Sequence, residues 1–143
     1  MFTQPDTLEV IPDANAAAHA VQWLEAIAER EGWPPKTCFG MTLSLDEALT
    51  NIVSYAFAQR APAGEAPAVR LSYRGDGPDL LVEIADNGLP HDPTLDVPPP
   101  LAASLDEAEA GGHGLRLMRH YLKDLSYRRD PGWNRLTLIG ARG

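Results

Sequence analysis

Three places in this 143-residue chain combine residue types at spacings that could do chemistry. Asp86 ends a run of alternating apolar residues and is followed by Asn87-Gly88-Leu89-Pro90. A carboxylate there can accept a hydrogen bond from a ligand's amino group, while Gly88 lets a flat ring approach the backbone. The plainer explanation is a turn of residues suited to positive φ. Gly111-Gly112-His113-Gly114 opens a helical pattern, and unpaired N–H groups at a positive helix end form a natural phosphate site. A glycine hinge or cap is the competing account. Glu47 and Asn51 stand four apart in the longest helical run, so both project from one face at the rim of the apolar stripe through Ala48 and Ile52. Taken alone, that pair could equally be solvated or locally hydrogen-bonded.

Other chemistries lack their residues. Lys36 and Lys123 are the only lysines, and neither sits in a Gly-x-x-x-x-Gly-Lys-Ser/Thr string, which rules out a P-loop enzyme. Histidines 19, 91, 113 and 120 have no zinc-site spacing. Ser44, Ser54 and Ser104 lack a hydrolase-like His/Asp pattern, and Trp23, Trp33 and Trp133 suit packing. A formal net charge of −8 argues against nucleic acid or anionic lipid as partner and favours a protein. With Cys38 as the single cysteine, no internal disulfide forms, which fits a reducing, cytoplasmic setting. Neither a signal peptide nor a run of about 20 apolar residues able to span a membrane is evident.

The elements that must position these groups read as one domain over residues 1–143. Residues 7–11 suggest a strand, and a helix is expected from Pro12-Asp13 to Arg30, ended by Gly32 through Pro35. A second helix is expected over 36–59, where Leu45, Ala48, Leu49, Ile52, Val53 and Ala56 recur at three- and four-residue steps. Val69–Tyr73 and Leu80–Ala85 form a hairpin pattern in which Leu80, Val82 and Ile84 share a face. Residues 91–112 carry Pro98 to Pro100 and the acids Asp92, Asp96, Asp106, Glu107 and Glu109 without one Lys or Arg, the composition of a long loop. A third helix carries Leu115, Met118 and Leu122, and strands near 125–129 and 133–139 follow. This order predicts an α/β (α+β) two-layer sandwich, one mixed, mostly antiparallel sheet covered by helices on one face.

In order, Glu47-x-x-x-Asn51, Asp86-x-Gly88 and the glycine-rich helix start resemble the N, G1 and G2 boxes of the GHKL (histidine-kinase-like) ATPases. The run Leu45-Asp46-Glu47-Ala48-Leu49-Thr50-Asn51 is similar to the N box of anti-sigma-factor serine kinases, and Asp86 to Pro90 with Asp92-Pro93 to their G1 region. The closing segment, with Gly112-His113-Gly114-Leu115, Arg119, Asp124, Tyr127, Gly132, Asn134 and Leu136-Thr137-Leu138, looks like theirs too, so the likeness covers roughly residues 5 to 140. It implies that ATP and Mg²⁺ are bound, with Asn51 on the metal, Asp86 on the adenine amino group and Gly88 making room for the base. Gly112, His113, Gly114 and Leu115 would meet the phosphates, residues 91–111 would be the ATP lid, and Glu47 the catalytic base. The implied acceptor is a serine or threonine on a small antagonist protein, with a sigma factor as a further partner, and homodimers are common in that family.

Two departures stand out. The lid region holds no basic residue, leaving Arg116 or Arg119 as the nearest cations, and Pro90 replaces the second glycine of the general G1 box. A rival reading follows from the first: a non-catalytic switch whose nucleotide state sets its affinity for a protein. Sensor histidine kinases are excluded by the lack of a preceding phosphoacceptor hairpin, and topoisomerase-, chaperone- and mismatch-repair-type relatives by the lack of a second domain.

Overall fold

The computed structural model describes residues 6–56, 66–90, 92 and 113–143. Strand β1 (Asp6–Val10) leads to helix α1 (Ala16–Glu31) and helix α2 (Pro35–Asn51), which continues as one π-helical segment over Ile52–Ala56. The hairpin β2 (Val69–Asp76) and β3 (Asp79–Asp86) follows, then helix α3 (His113–Tyr121) and the hairpin β4 (Asp124–Asp130) and β5 (Trp133–Ala141). The strands form one sheet in the order β1-β2-β3-β5-β4. The two-layer sandwich is as expected from the sequence, but all four pairings are antiparallel, so the sheet is not mixed. The helical connections do not create a parallel neighbour: β1 reaches β2 through α1 and α2 and still runs antiparallel to it, and β5, the neighbour of β3, is reached through α3 and the β4–β5 hairpin.

Two helix limits differ for local reasons. Helix α1 starts at Ala16 rather than Asp13, because the Asp13 carboxylate accepts the Asn15 N–H at 2.8 Å and holds Ile11 to Asn15 in a turn. Its end is as read: Gly32 adopts φ 67°, and the Trp33 N–H returns to the Ala28 carbonyl at 2.9 Å. Helix α2 does not run on as an α-helix toward residue 59. It gives way after Asn51 to a wider π-helical turn that begins at Ile52-Val53; residues 57–59 lie outside the described ones.

Alternation along the strands turns one face of the sheet to the helices. Leu71, Tyr73, Leu80, Val82, Ile84, Leu136 and Leu138 are buried there with Leu24, Leu45, Leu49 and Met118 of the helices. The other face is polar and tied by ion pairs: Arg135 reaches Asp130 at 2.6 Å and Glu83 at 2.9 Å, and Arg70 lies over the Trp133 ring.

Two close approaches set the height and direction of α2. A side chain at Gly140 of β5 would collide with the Met41 sulfur, and one at Gly40 would meet the Tyr121 ring of α3 at 3.0 Å. With Met41 over Gly140, the helix climbs about 15 Å to Asn51 at 1.5 Å per residue. Over the same course β5 descends about 20 Å to Asn134 at about 3.3 Å per residue. With Tyr121 against Gly40, α3 packs along α2 in the opposite sense, so its His113 start lies toward the same end as Asn51.

The far end is anchored by ion pairs. Arg30 grips both carboxylate oxygens of Asp6, at 3.0 and 2.7 Å. Half-buried Glu31 accepts from the Tyr73 hydroxyl at 2.5 Å and the Trp33 indole at 3.2 Å. Burial by itself raises the Glu31 carboxyl, but the hydrogen bonds from Tyr73 and Trp33 and the charge of Arg142 outweigh it and hold the group below its ordinary value. A lowered folded value makes this contribution to stability full above the ordinary carboxylate range and lost as pH falls through it. Glu31→Gln should therefore lower Tm most near pH 7, with the gap to the parent closing below about pH 4 in thermal melts. Gly40→Val should cost about 1–3 kcal/mol in urea denaturation, since the Tyr121 ring must move to admit the added methyls.

Candidate functional site

On β3 and β5 the helix-facing positions Leu80, Val82, Ile84, Leu136 and Leu138 are apolar until one end. There a single register row crosses all five strands as Val10, Val69, Asp86, Asn134 and Arg129. The row beneath it is Leu8, Leu71, Ile84, Leu136 and Tyr127. Asp86 thus continues the inward face of Leu80, Val82 and Ile84, and is only 2% exposed. A carboxylate cannot stay there without donors. Its Oδ1 accepts the Gly88 N–H at 3.0 Å and the Asn134 side-chain amide at 2.9 Å.

Asn134, 3% exposed, spends the same amide nitrogen on the Leu89 carbonyl at 2.8 Å, and its oxygen accepts from the Tyr127 hydroxyl at 2.5 Å. Arg129 adds a bond from Nη1 to the Gly88 carbonyl at 3.0 Å. Buried Asn87 turns away to the other side. Its Oδ1 accepts the Ala68 N–H and its Nδ2 donates to the Ala66 carbonyl, both at 2.8 Å. The corner after β3 is therefore clasped by β4 and β5 on one side and by the approach to β2 on the other.

This changes the plainer account of Asn87-Gly88. Among the described residues positive φ occurs only at Gly32, Gly77 and Gly132, so neither residue is there for a left-handed turn. Gly88 is buried beside Asp86, and what it provides is the lack of a side chain.

The other predicted residues fall toward the same end. Glu47 and Asn51 are both half-buried, on the last turns of α2. The backbone of His113, Gly114 and Leu115 forms the first turn of α3, which gathers unpaired N–H groups. Gly112 and the lid expected over 91–111 lie outside the described residues, apart from Asp92. Ser44 is fully buried and donates to the Gly40 carbonyl at 2.7 Å, a helix-internal bond in keeping with its structural reading. Among the described residues no group of three or more His, Cys, Asp or Glu side chains could hold a metal ion. No helix among them is long and apolar enough to cross a membrane.

Sequence reasoning passed over the roles of Asn87, Arg129 and the Tyr127–Asn134 pair. One signal was present: Asn134 precedes the inward-facing Leu136 and Leu138 by two and four residues, so it had to face inward and find partners.

An antiparallel five-stranded sheet covered on one face by helices, with a buried carboxylate at one strand end and two helix ends beside that layer, defines an α+β sandwich of a known class. Comparison with known proteins agrees. The model of the histidine kinase-like ATPase domain matches residues 11–139. The chain is 50% identical over 138 residues to the serine/threonine-protein kinase BtrW of Bordetella bronchiseptica, covering 96% of this chain and 94% of that protein. It is also similar to the crystal structure of the RsbU and RsbW domains of a Mycobacterium tuberculosis protein, with a TM-score of 0.63 over 97% of this chain. That likeness, at 16% identity and spanning 32% of the larger chain, speaks to the fold. The chain belongs to the histidine kinase-like ATPase family, in its serine/threonine-protein kinase branch.

Asn87→Ala should leave the Ala66 carbonyl and Ala68 N–H unpaired and cost about 1–3 kcal/mol in urea denaturation.

Proposed function

We propose that this chain uses Mg-ATP to phosphorylate a serine or threonine of a small antagonist protein, in the manner of anti-sigma-factor kinases. The observation that carries the reading is the buried, doubly gripped carboxylate of Asp86 beside side-chain-free Gly88. An acceptor so fixed suits the amino group of adenine, and the missing side chain leaves room for the ring. The helix start at His113-Gly114-Leu115, with Gly112 before it, supplies N–H groups for the phosphates. The side-chain oxygen of Asn51 is suited to Mg²⁺, which when bound neutralises phosphate charge.

Glu47 lies one helical turn before Asn51 on the same face. It takes the proton of the acceptor hydroxyl as that oxygen bonds the γ-phosphorus, and ADP leaves with the bridging oxygen. Such transfer depends mainly on alignment and charge neutralisation, which is what an array of fixed groups at one sheet end provides. The 50% identity to a serine/threonine-protein kinase over nearly the whole of both chains supports the same reading. A sigma factor as second partner and a homodimer belong to the same proposal and rest on the resemblance of the three boxes to those of anti-sigma-factor kinases. One observation favours the non-catalytic switch: residues 91–112 offer no cation for the γ-phosphate.

Glu47→Gln should reduce phosphotransfer to a partner by about 10²-fold or more while ATP affinity stays within about threefold. ATP binding with no phosphoprotein from the parent and its cognate partner would instead establish the switch. Asp86→Asn should weaken ATP binding by about tenfold or more in calorimetric titration, because an amide in place of the carboxylate can present a donor to the adenine amino group.

A further inference from the structure

We infer that Asn134 and Tyr127 are positioning residues for base selection, holding the Asp86–Leu89 corner in the one shape that reads adenine; this rests on the reading of Asp86 as the adenine acceptor. The geometry leaves the Asn134 amide one orientation. The Leu89 carbonyl can only accept, and so can an ionised Asp86 carboxylate, so the amide nitrogen must face both, at 2.8 and 2.9 Å. The amide oxygen then faces Tyr127, whose hydroxyl donates to it at 2.5 Å. Tyr127 sits in the neighbouring register row on β4, opposite Leu136, and so locks the amide against flipping.

One carboxylate oxygen of Asp86 is gripped by two donors, which fixes the plane of the group. Through the same amide, the position of Leu89 is tied to that plane. Arg129 ties the intervening Gly88 carbonyl to the same β4–β5 hairpin. Asp86, Gly88 and Leu89 therefore move as one piece with β4 and β5.

The consequence is selectivity. Adenine offers an amino group at the ring position where guanine offers a carbonyl, so a carboxylate held still attracts one and repels the other. Freed of its clasp, the carboxylate turns or admits water, and the difference between the bases shrinks. Neither Asn134 nor Tyr127 needs to touch the nucleotide for this.

The test is to titrate Mg-ATP and Mg-GTP into the full chain and its variants by calorimetry. Asn134→Ala should weaken ATP by about tenfold and reduce the ATP-to-GTP affinity ratio by a similar factor. Tyr127→Phe, which keeps the ring in place, should shift the ratio in the same direction by about threefold and decides the matter if Asn134→Ala does not fold. Asn134→Asp preserves shape but sets two carboxylates together. Its ATP affinity, relative to the parent at each pH, should recover as pH falls from about 8 to about 5.5, when a shared proton restores a donor between them. An unchanged ratio in folded variants, equal weakening of ATP and GTP, or no pH recovery overturns the positioning role. If Asp86→Asn loses ATP selectivity while the Asn134 and Tyr127 variants keep it, only this inference falls. If Asp86→Asn itself changes nothing, the adenine reading falls and this one with it.

Discussion

The site depends on how closely α2 is allowed to approach the sheet. Met41 occupies the space that a side chain at Gly140 would need, and Tyr121 of α3 lies where one at Gly40 would be. A close-packed interior does not absorb a misfit of a methyl group without shifting something. These two contacts at the base of the layer therefore set where the upper ends of α2 and α3 come to rest. Asn51 and His113 are placed by packing some two to three helical turns away from them, which leaves the upper end to the functional groups.

The sheet answers with a buried Asp86 and Asn134 at the end of β3 and β5, where the inward positions before them on those strands, Leu80, Val82, Ile84, Leu136 and Leu138, are apolar. A buried carboxylate on a helix-facing surface is costly unless its lone pairs are met. Asp86 has donors from its own corner and from β5, and Asn134 is itself satisfied from β4. The network spans three strands and so exists only once β3, β5 and β4 are in register. The shape of this corner is thus conditional on three of the five strands having paired, a dependence that a surface loop would lack.

The two ends of the molecule divide the labour. Arg30 with Asp6, and Glu31 with Tyr73 and Trp33, close the end of α1 onto β1 and β2. The exposed Arg30–Asp6 pair is of the kind that contributes little by itself, whereas the half-buried Glu31 collects several donors and contributes more. With that side held, the opposite ends of α2, β3 and α3 carry the residues proposed to bind and transfer phosphate. In a family of ATP-using kinases this suits the task, because phosphoryl transfer asks for fixed groups and neutralised charge more than for reactive side chains.

Much was legible before any tertiary structure. The three- and four-residue steps of Leu45, Ala48, Leu49 and Ile52 determined a helix with Glu47 and Asn51 on one face, and alternation through Leu80, Val82 and Ile84 put Asp86 at a strand end, because periodicity is local. The π-helical turn after Asn51 was not legible, since an apolar stripe at helical spacing does not record whether the backbone closes on the fourth or fifth residue. Nor was the service of Asn87 to Ala66 and Ala68, where a common turn dipeptide was also the simplest account. Above all, the Tyr127–Asn134–Asp86 chain joins residues 48 apart through strand order and register. No local pattern specifies which strands pair. The sequence by itself singled out the candidate binding groups; only the folded sheet decided which residues hold Asp86 and its corner still, because hydrogen bonds across strands exist only after the chain has closed.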